Sequence, residues 1–490
     1  MILAPSAQAG SYRVVSCGDA TGDINNAWAM ENTDLAHLEQ GSQCSVPSQA
    51  DEGQLETTGL FSADQLGLSS GSPPGSTASW DMRAPGGTTI TALSFRRYLG
   101  KRLDDSWSPA LSADGAVVQG ETCSITGSAN GCAVGGSDVT QTEALNAGVL
   151  KYGVTCGATS GVCDTGSSLH RVWAALYAST VTISDPVSPT VSAPGGTIAS
   201  APPGSFHNAT DSITFSASDN VGIRQTTVYV DGQAQSAIAD PCDYTFVVPC
   251  LQQPGSMHTI DWRSLNLPDG PHQVQVAATD AAGNETRGTT TTVLVDTHPP
   301  AAPQVLPAAA TQTRPNFTLS WTNPPQGQGA PIARADYLLC PMAGPGSCTA
   351  GKGIAADIHQ LAVTTPARGH WRLALWLTDA AGNGTFANGA TTELVYLSPA
   401  ALHVTAVQLS GGRLTVSGTT AARGGHVTLT LRVRRSRRPR QLQRSGAIRR
   451  GHFHITLRLP PGATPVPGAR AVVSFAGDSA HAPQRVSARL

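Results

Sequence analysis

The hexapeptide Thr-Asp-Ala-Ala-Gly-Asn occurs twice, at Thr279–Asn284 and Thr378–Asn383, and the two copies lie 99 residues apart. One two-sheet β-sandwich takes roughly 100 residues, so a repeat at this spacing implies an array of sheet-built modules. Each copy follows a strand-like run, His272–Ala278 in the first and Trp371–Leu377 in the second. Aligned on the hexapeptide, Val274, Val276 and Ala278 fall on Leu373, Leu375 and Leu377. Apolar residues at every second position are what one buried face of a strand requires.

At 490 residues the chain has room for three or four such modules, each with its own core. Charged residues make up only 13%, while glycine (52) and proline (34) are frequent, the composition of short strands separated by turns. The segment 138–151 is the best helical candidate, and its apolar positions are sparse. Strands are expected at Tyr12–Ser16, Ser79–Met82, Thr89–Arg97, Ala116–Gln119 and Val172–Ile183, a unit of the size of a jelly-roll-like sandwich. Pro-stiffened joints follow at 185–190 and 296–300. Between them, Ser212–Ser218 and Thr226–Val230 read as strands, with Asp231-Gly232 as a hairpin turn. Past the second joint, Asn316–Trp321 and Tyr337–Leu339 match these two strands. A last unit alternates clearly over His426–Val433, Phe453–Leu459 and Ala471–Phe475. The expected division is therefore 1–9, 10–184, 185–297, 298–399 and 400–490. The first nine residues end in Ala7-Gln8-Ala9, a small-x-small cleavage pattern, and read as the remnant of a signal peptide. No stretch approaches the apolar length of a membrane span.

The ten cysteines fall mostly in close pairs: Cys123/Cys132, Cys156/Cys163, Cys242/Cys250 and Cys340/Cys348, with Cys17 and Cys44 left as a wider pair. None of these spacings is Cys-x-x-Cys and no histidine cluster accompanies them, so structural zinc is a poor reading. An even count in a loop-rich β protein favours disulfides and an oxidising, extracellular compartment. Pairing among the six N-terminal cysteines is not fixed by sequence.

Residues 185–399 resemble bacterial immunoglobulin-like (Big, fibronectin III-like) repeat domains of secreted or surface proteins. The resemblance rests on Asp219–Gly222, Thr279–Asn284 and the joint Val295–Pro300. The last unit is similar to immunoglobulin-like repeats ending in aromatic-x-Gly-Asp, here Phe475–Asp478. The first unit resembles N-terminal sandwich modules of secreted actinobacterial proteins, and the excess of arginine (28) over lysine (three) fits a GC-rich bacterial genome. These resemblances imply an all-β protein of tandem β-sandwiches: an N-terminal jelly-roll-like sandwich followed by three immunoglobulin-like domains. They imply a fold and say little about a ligand.

Several strings carry a chemical reading beside a plainer one. Asp164-Thr-Gly-Ser-Ser168 is similar to the active-site loop of pepsin-like proteases, whose chemistry needs two facing carboxylates. No second Asp-Thr-Gly exists here, and the string reads as a polar turn beside Cys163. Gly477-Asp-Ser479, with His481, is similar to the nucleophile block of SGNH-type esterases, but its place in an all-β unit fits the repeat ending. His452 and His454 share a strand face without a third ligand. The Asp219, Asp280 and Asp379 loops offer hard oxygen donors for calcium, but they lack clustered acids and read first as turn stabilisers. The expectation is accordingly no metal, no cofactor and no catalytic residues.

Charge is the strongest remaining signal. The chain has a net charge of −2, yet from Ala401 onward it holds 15 arginines and one acid, Asp478. The candidate anion-binding residues are Arg432, Arg434, Arg435, Arg437, Arg438 and Arg440, continued by Arg444, Arg449 and Arg450 across an expected hairpin. Guanidinium groups match phosphate and carboxylate in pairs of hydrogen bonds. In an exported protein the partner expected is an anionic cell-wall polymer or polysaccharide. No nucleic acid is expected, because no stacking aromatics interleave with the arginines. The expected role is a non-catalytic cell-envelope binding or spacer protein. Its rival is a carbohydrate-binding or carbohydrate-active protein with a glycan site in the N-terminal sandwich, where Trp28, Trp80, Tyr98, Trp107, Tyr152, Trp173 and Tyr177 supply rings.

Overall fold

The computed structural model describes residues 10–18, 24–44, 56–102, 106–120, 132–134, 140–306, 311–343, 346–435 and 438–490. Strands dominate them, and the protein is a series of β-sandwiches. The expected leader remnant, 1–9, lies outside the described residues, as do Cys123 and Arg437. By its contacts the chain divides into two units. One takes in residues up to Pro202 with Thr210–Asp261 and His272–Val293; the other holds Pro203–Ala209, Trp262–Pro271 and Leu294–Leu490.

In the first unit, a seven-stranded sheet faces a five-stranded one. The spine of the larger sheet is Val172–Asp185, paired along its whole length with Thr89–Lys101. Its other edge is shared: Gly59–Asp64 pairs with Trp173–Leu176, and Gly10–Ser16 with Ser179–Asp185. The smaller sheet runs Ala29–Asn32, Thr77–Arg83, Val149–Cys156, Trp107–Ala113, Ala116–Gly120. Between them lie Val14, Trp80, Met82, Phe95, Trp107, Leu150 and Tyr152, all buried. The chain crosses repeatedly from one sheet to the other, as a jelly-roll-like sandwich does. The helical candidate at 138–151 is instead Thr140–Ala147 and the start of Val149–Cys156, two strands separated by Gly148. The β-branched residues Thr140 and Thr142, two apart on one strand, and Val149 at the start of the next outweigh the two alanines there.

The same unit continues into a second sandwich. Thr210–Ser218 pairs with Gln253–Asp261, and Ile223–Val230 lies between Gln233–Ala239 and Gly270–Asp280. The Asp231-Gly232 turn has φ of 49° and 78°, the doubly left-handed geometry that such a hairpin needs. The two sandwiches were expected to be independent, but they share a core. Val221, Cys250 and Ala281 belong to the same buried cluster as Val14 and Trp28. The Tyr12 hydroxyl donates to the Val247 carbonyl at 2.6 Å, and Val15 N–H to Tyr244 O at 2.9 Å. The loop closed by the Cys242–Cys250 disulfide is what reaches across.

In the second unit, Gln304–Val305, Asn316–Thr322 and Gln360–Thr364 form one sheet, and Thr349–Ile354, Ile332–Pro341, Gly369–Asp379 and Ala390–Tyr396 the other. Phe317, Leu319 and Trp321 from one layer meet Leu373, Leu375 and Leu377 from the other. Residues 403–489 carry an eight-stranded sheet. Its strand Arg438–Arg449 pairs with His426–Arg435 along its length and with His452–Arg458 only through Ile448 and Arg449. The two layers are therefore joined into one continuous sheet folded over Leu429, Leu431, Phe453 and Val473.

Among the described residues four disulfides are present: Cys17–Cys44, Cys156–Cys163, Cys242–Cys250 and Cys340–Cys348. Three are pairs expected from their spacing, and the wider Cys17–Cys44 pair is also bridged. The expected partnership of Cys132 with Cys123 lies outside the described residues. Cys132 is placed as the first residue of the strand Cys132–Val134, opposite Lys101 on the edge of the larger sheet. Its side chain lies outside what is described, as does the whole of Cys123. Among the described residues, no helix is long and apolar enough to cross a membrane.

Candidate functional site

The hairpin His426–Arg435/Arg438–Arg449 presents the arginines. Val427, Leu429, Leu431 and Val433 point to the core, so Arg432 and Arg434 lie on the opposite, exposed face. Directly opposed residues share a face, and Val433 opposes Arg440 while Leu429 opposes Arg444. The ribbon thus carries guanidinium groups on both faces. Arg435 is exposed beside them. Arg437 is outside the described residues, and Arg438 is placed only as a strand residue opposite Arg435. Arg432 also lines a groove of about 270 Å³ together with Gln441, Arg470 and Arg485. Among the described residues, no carboxylate forms an ion pair with Arg432, Arg434, Arg440 or Arg444. Sequence reasoning placed the run on a hairpin, but it missed Arg470 and Arg485, which only strand pairing brings to that face.

The other strings fall where their plainer readings put them. Asp164 is exposed; its carbonyl accepts Trp107 Nε1–H at 2.8 Å, and Gly166 N–H donates to Asp64. Asp478 closes a turn by accepting Ala480 N–H and His481 N–H at 2.8 and 2.7 Å. His454 hydrogen-bonds Ser417, and His452 is exposed beside it. The seven N-terminal aromatic rings are all 8% exposed or less. They fill the sandwich, or in the case of Tyr98, Trp173 and Tyr177 a cluster on the far face of the larger sheet. None of the seven offers the exposed face on which a sugar would stack.

One arrangement had no sequence signal. Asp34 opens a tight turn whose His37 and Leu38 N–H groups donate to its carbonyl. The turn aims the His37 ring back at the Asp34 carboxylate, with Nδ1 3.0 Å from it, and leaves Nε2 3.0 Å from Ser70 Oγ. Ser72 Oγ also donates to Asp34 at 2.5 Å. Burial alone would raise the Asp34 pKa, but the hydrogen bonds from Ser72 and His37 outweigh it and hold the carboxyl below the usual range. Serine, histidine and aspartate are thereby wired in the order of a nucleophilic relay.

The two hexapeptides take the same form at two joints. Asp280 N–H donates to Asn284 O and Asp379 N–H to Asn383 O, both at 3.1 Å, with Gly283 and Gly382 at φ of 98° and 91°. Each asparagine then clasps the joint aspartate: Asn284 Nδ2 donates to Asp185 O at 3.0 Å, and Asn383 Nδ2 to Asp296 O at 2.8 Å. At the first joint alone a third acid enters. Carboxylate oxygens of Asp185, Asp219 and Asp280 lie within 4.8 Å of one another. The expectation of loops without clustered acids is corrected here, because Asp185 closes the cluster from the preceding sandwich.

No family model matches the sequence, and none of the curated proteins matches it. Among solved structures, the FN1–FN3 domains of chicken CNTN1 align with 62% of this chain and 98% of their own at 12% identity and a TM-score of 0.22. The fibronectin(III)-like modules of Clostridium thermocellum CbhA align with 42% of this chain and 93% of their own at 14% identity and a TM-score of 0.21. Scores of this size establish no common arrangement, and the fold stands on the sheets themselves.

Proposed function

We propose that this chain is a non-catalytic, exported cell-envelope protein in which immunoglobulin-like modules act as a spacer and the basic C-terminal module binds an anionic cell-wall polymer or polysaccharide. The observation that carries this reading is the arginine ribbon, cationic on both faces, without carboxylate partners among the described residues at four of its positions, and continued into the groove of Arg470 and Arg485. Four disulfides support an oxidising compartment. A single exposed ion pair contributes about 0.5 kcal/mol, but a polymer engages several at once. Salt screens them, over about 8 Å at physiological ionic strength.

The full chain is expected to be retained on heparin–agarose at low salt and to elute well below 1 M sodium chloride, the ionic strength at which screening shrinks to about 3 Å. Changing Arg432, Arg434, Arg440 and Arg444 together to glutamine should weaken binding about 30-fold, the sum of four such contacts. Retention that ignores salt, or that survives the fourfold change, would reject the reading.

The Ser70–His37–Asp34 wiring favours a second, hydrolytic reading. There Ser70 would attack an ester, His37 Nε2 would take its proton, and Asp34 would hold the imidazole. On this reading an alkyl fluorophosphonate labels Ser70, and turnover of p-nitrophenyl acetate falls at least 1000-fold in Ser70→Ala. Absence of label on the folded chain leaves the relay a structural hydrogen-bond chain.

A further inference from the structure

We propose that Asp185, Asp219 and Asp280 form a binding site for one divalent cation of the calcium type, which ties the N-terminal sandwich to the sandwich that follows it. Each acid arrives from a different element. Asp185 ends the spine strand Val172–Asp185, Asp219 follows the strand Thr210–Ser218, and Asp280 ends the strand Gly270–Asp280 within the hexapeptide. Their oxygens lie within 4.8 Å of one another, a span that donors about 2.3–2.6 Å from one common ion can have.

Acids crowd together on many surfaces without an ion, so the hydrogen bonding decides. Asp185 is fully buried, and its Oδ1 accepts Val187 N–H at 3.0 Å, yet its Oδ2 has no partner. Asp219 Oδ1 accepts Val221 N–H at 2.9 Å, and its Oδ2 is likewise unpartnered, as is Asn220 Oδ1. Asp280 Oδ1 accepts Gly283 N–H and Asn284 N–H, and its Oδ2 accepts Asn284 Nδ2–H. Among the described residues no lysine, arginine or histidine forms an ion pair with any of the three acids. Three carboxylates, Asp185 and Asp219 each with an idle oxygen, lie within 4.8 Å of one another, and Asn220 Nδ2 donates to Asp185 Oδ1 at 3.3 Å. Burial, with the charges of Asp280 and Asp185 adding to it, pushes Asp219 up to about 6. A cation removes this conflict, and an unpaired buried carboxylate otherwise costs several kcal/mol.

The second joint supplies a comparison inside the same chain. His298 N–H donates to Asp296 Oδ1 as Val187 N–H does to Asp185. There, however, Ala330 N–H donates to Asp296 Oδ2 at 2.6 Å, which satisfies the oxygen that stays idle on Asp185. The segment that carries Asp219 at the first joint is replaced at the second by a proline- and glycine-rich loop, 323–330, without an acid. The first joint thus gathers three acids, two of them with an idle oxygen, whereas the second holds two, with Asp296 satisfied by a backbone donor and only Asp379 Oδ2 left idle. All-oxygen, hard donors exclude a preference for zinc or copper. With Asp185 and Asp280 fully buried there is little room for the waters that magnesium retains, so calcium fits better.

The test uses the full chain, stripped with EGTA at pH 7.5. Calcium titrated by calorimetry should bind one ion with a Kd of about 10⁻⁴ M, the range of extracellular modules. It should also slow hydrogen exchange in the peptides holding Asp185 and Asp219. Asp219→Asn keeps an oxygen for Val221 N–H, so the fold survives; its calcium affinity should drop at least tenfold. Asp379→Asn at the second joint should bind calcium like the parent. The proposal is overturned by no heat at 10 mM calcium, by an Asp219→Asn variant that binds as the parent does, or by magnesium binding more tightly than calcium. The site stands apart from the arginine ribbon: retention on heparin–agarose should be the same for Asp219→Asn and the parent.

Discussion

Replacing Asp64 by alanine is expected to destabilise the N-terminal sandwich by about 3–5 kcal/mol, the sum of several buried donors losing their acceptor. Asp64 ends the strand Gly59–Asp64 and is fully buried. Its Oδ1 accepts Arg171 N–H at 2.7 Å and Val172 N–H at 3.0 Å, and its Oδ2 accepts Gly166 N–H at 2.6 Å. One side chain therefore pins the segment 166–172 at the entry to the spine strand. Burial raises its pKa more than these three donors and His170 lower it, so the carboxylate is held at a cost that the loop's hydrogen bonds offset. Alanine leaves all three N–H groups without an acceptor. Asparagine keeps one acceptor oxygen but turns its NH₂ toward a donor, so it should fall between alanine and the parent. Hydrogen exchange over Val172–Asp185 is the measurement, and a rise of at least a hundredfold is expected in Asp64→Ala, since each 1.4 kcal/mol is tenfold. Exchange within tenfold of the parent would show that Asp64 is not the pin.

Gly222→Ala should be nearly as damaging, and for a different reason. Gly222 has φ of +82°, and a Cβ placed on it would sit 1.9 Å from the carbonyl oxygen of Cys250. The obstacle is backbone, tied by disulfide to Cys242, so it cannot swing aside as a side chain would. Left-handed backbone costs a non-glycine residue about 1–2 kcal/mol, and relieving the overlap adds at least as much. The expected total is about 3 kcal/mol or more. Gly283→Ala is the control, because it is also left-handed, at +98°, but a Cβ there meets only Arg224 Nη2 at 3.9 Å. It should cost about 1–2 kcal/mol, the strain alone. Proteolysis between Cys242 and Cys250 should accelerate sharply in Gly222→Ala and little in Gly283→Ala. Equal effects would remove the clash from the account.

Much of this fold is legible in the sequence because its signals are local. The alternation of Val274, Val276 and Ala278 gives a buried strand face, Asp231-Gly232 gives a hairpin, and closely spaced cysteines give three of the four bridges. The sites are less legible, because each depends on residues brought together from a distance. Asp185 precedes a proline joint much as Asp296 does, and nothing near it in the chain says that Asp219 will face one and a backbone N–H the other. Ser70 and His37 are ordinary loop residues until two turns meet. The segment 138–151 shows the reverse error: weak patterning admitted a helix where sheet neighbours impose strands. The number of N-terminal aromatic residues is legible in the sequence, but their burial is not, because it depends on which strand faces pack together.

The apolar cluster shared by Val14, Trp28, Val221, Cys250 and Ala281 bears on ancestry. Gene rearrangement that cut within the proline joint would strand half of a continuous oily surface on each fragment, and both products would tend to aggregate. The two leading sandwiches should therefore travel through descent as a single inherited piece, and natural shuffling of this architecture should place its breakpoints elsewhere.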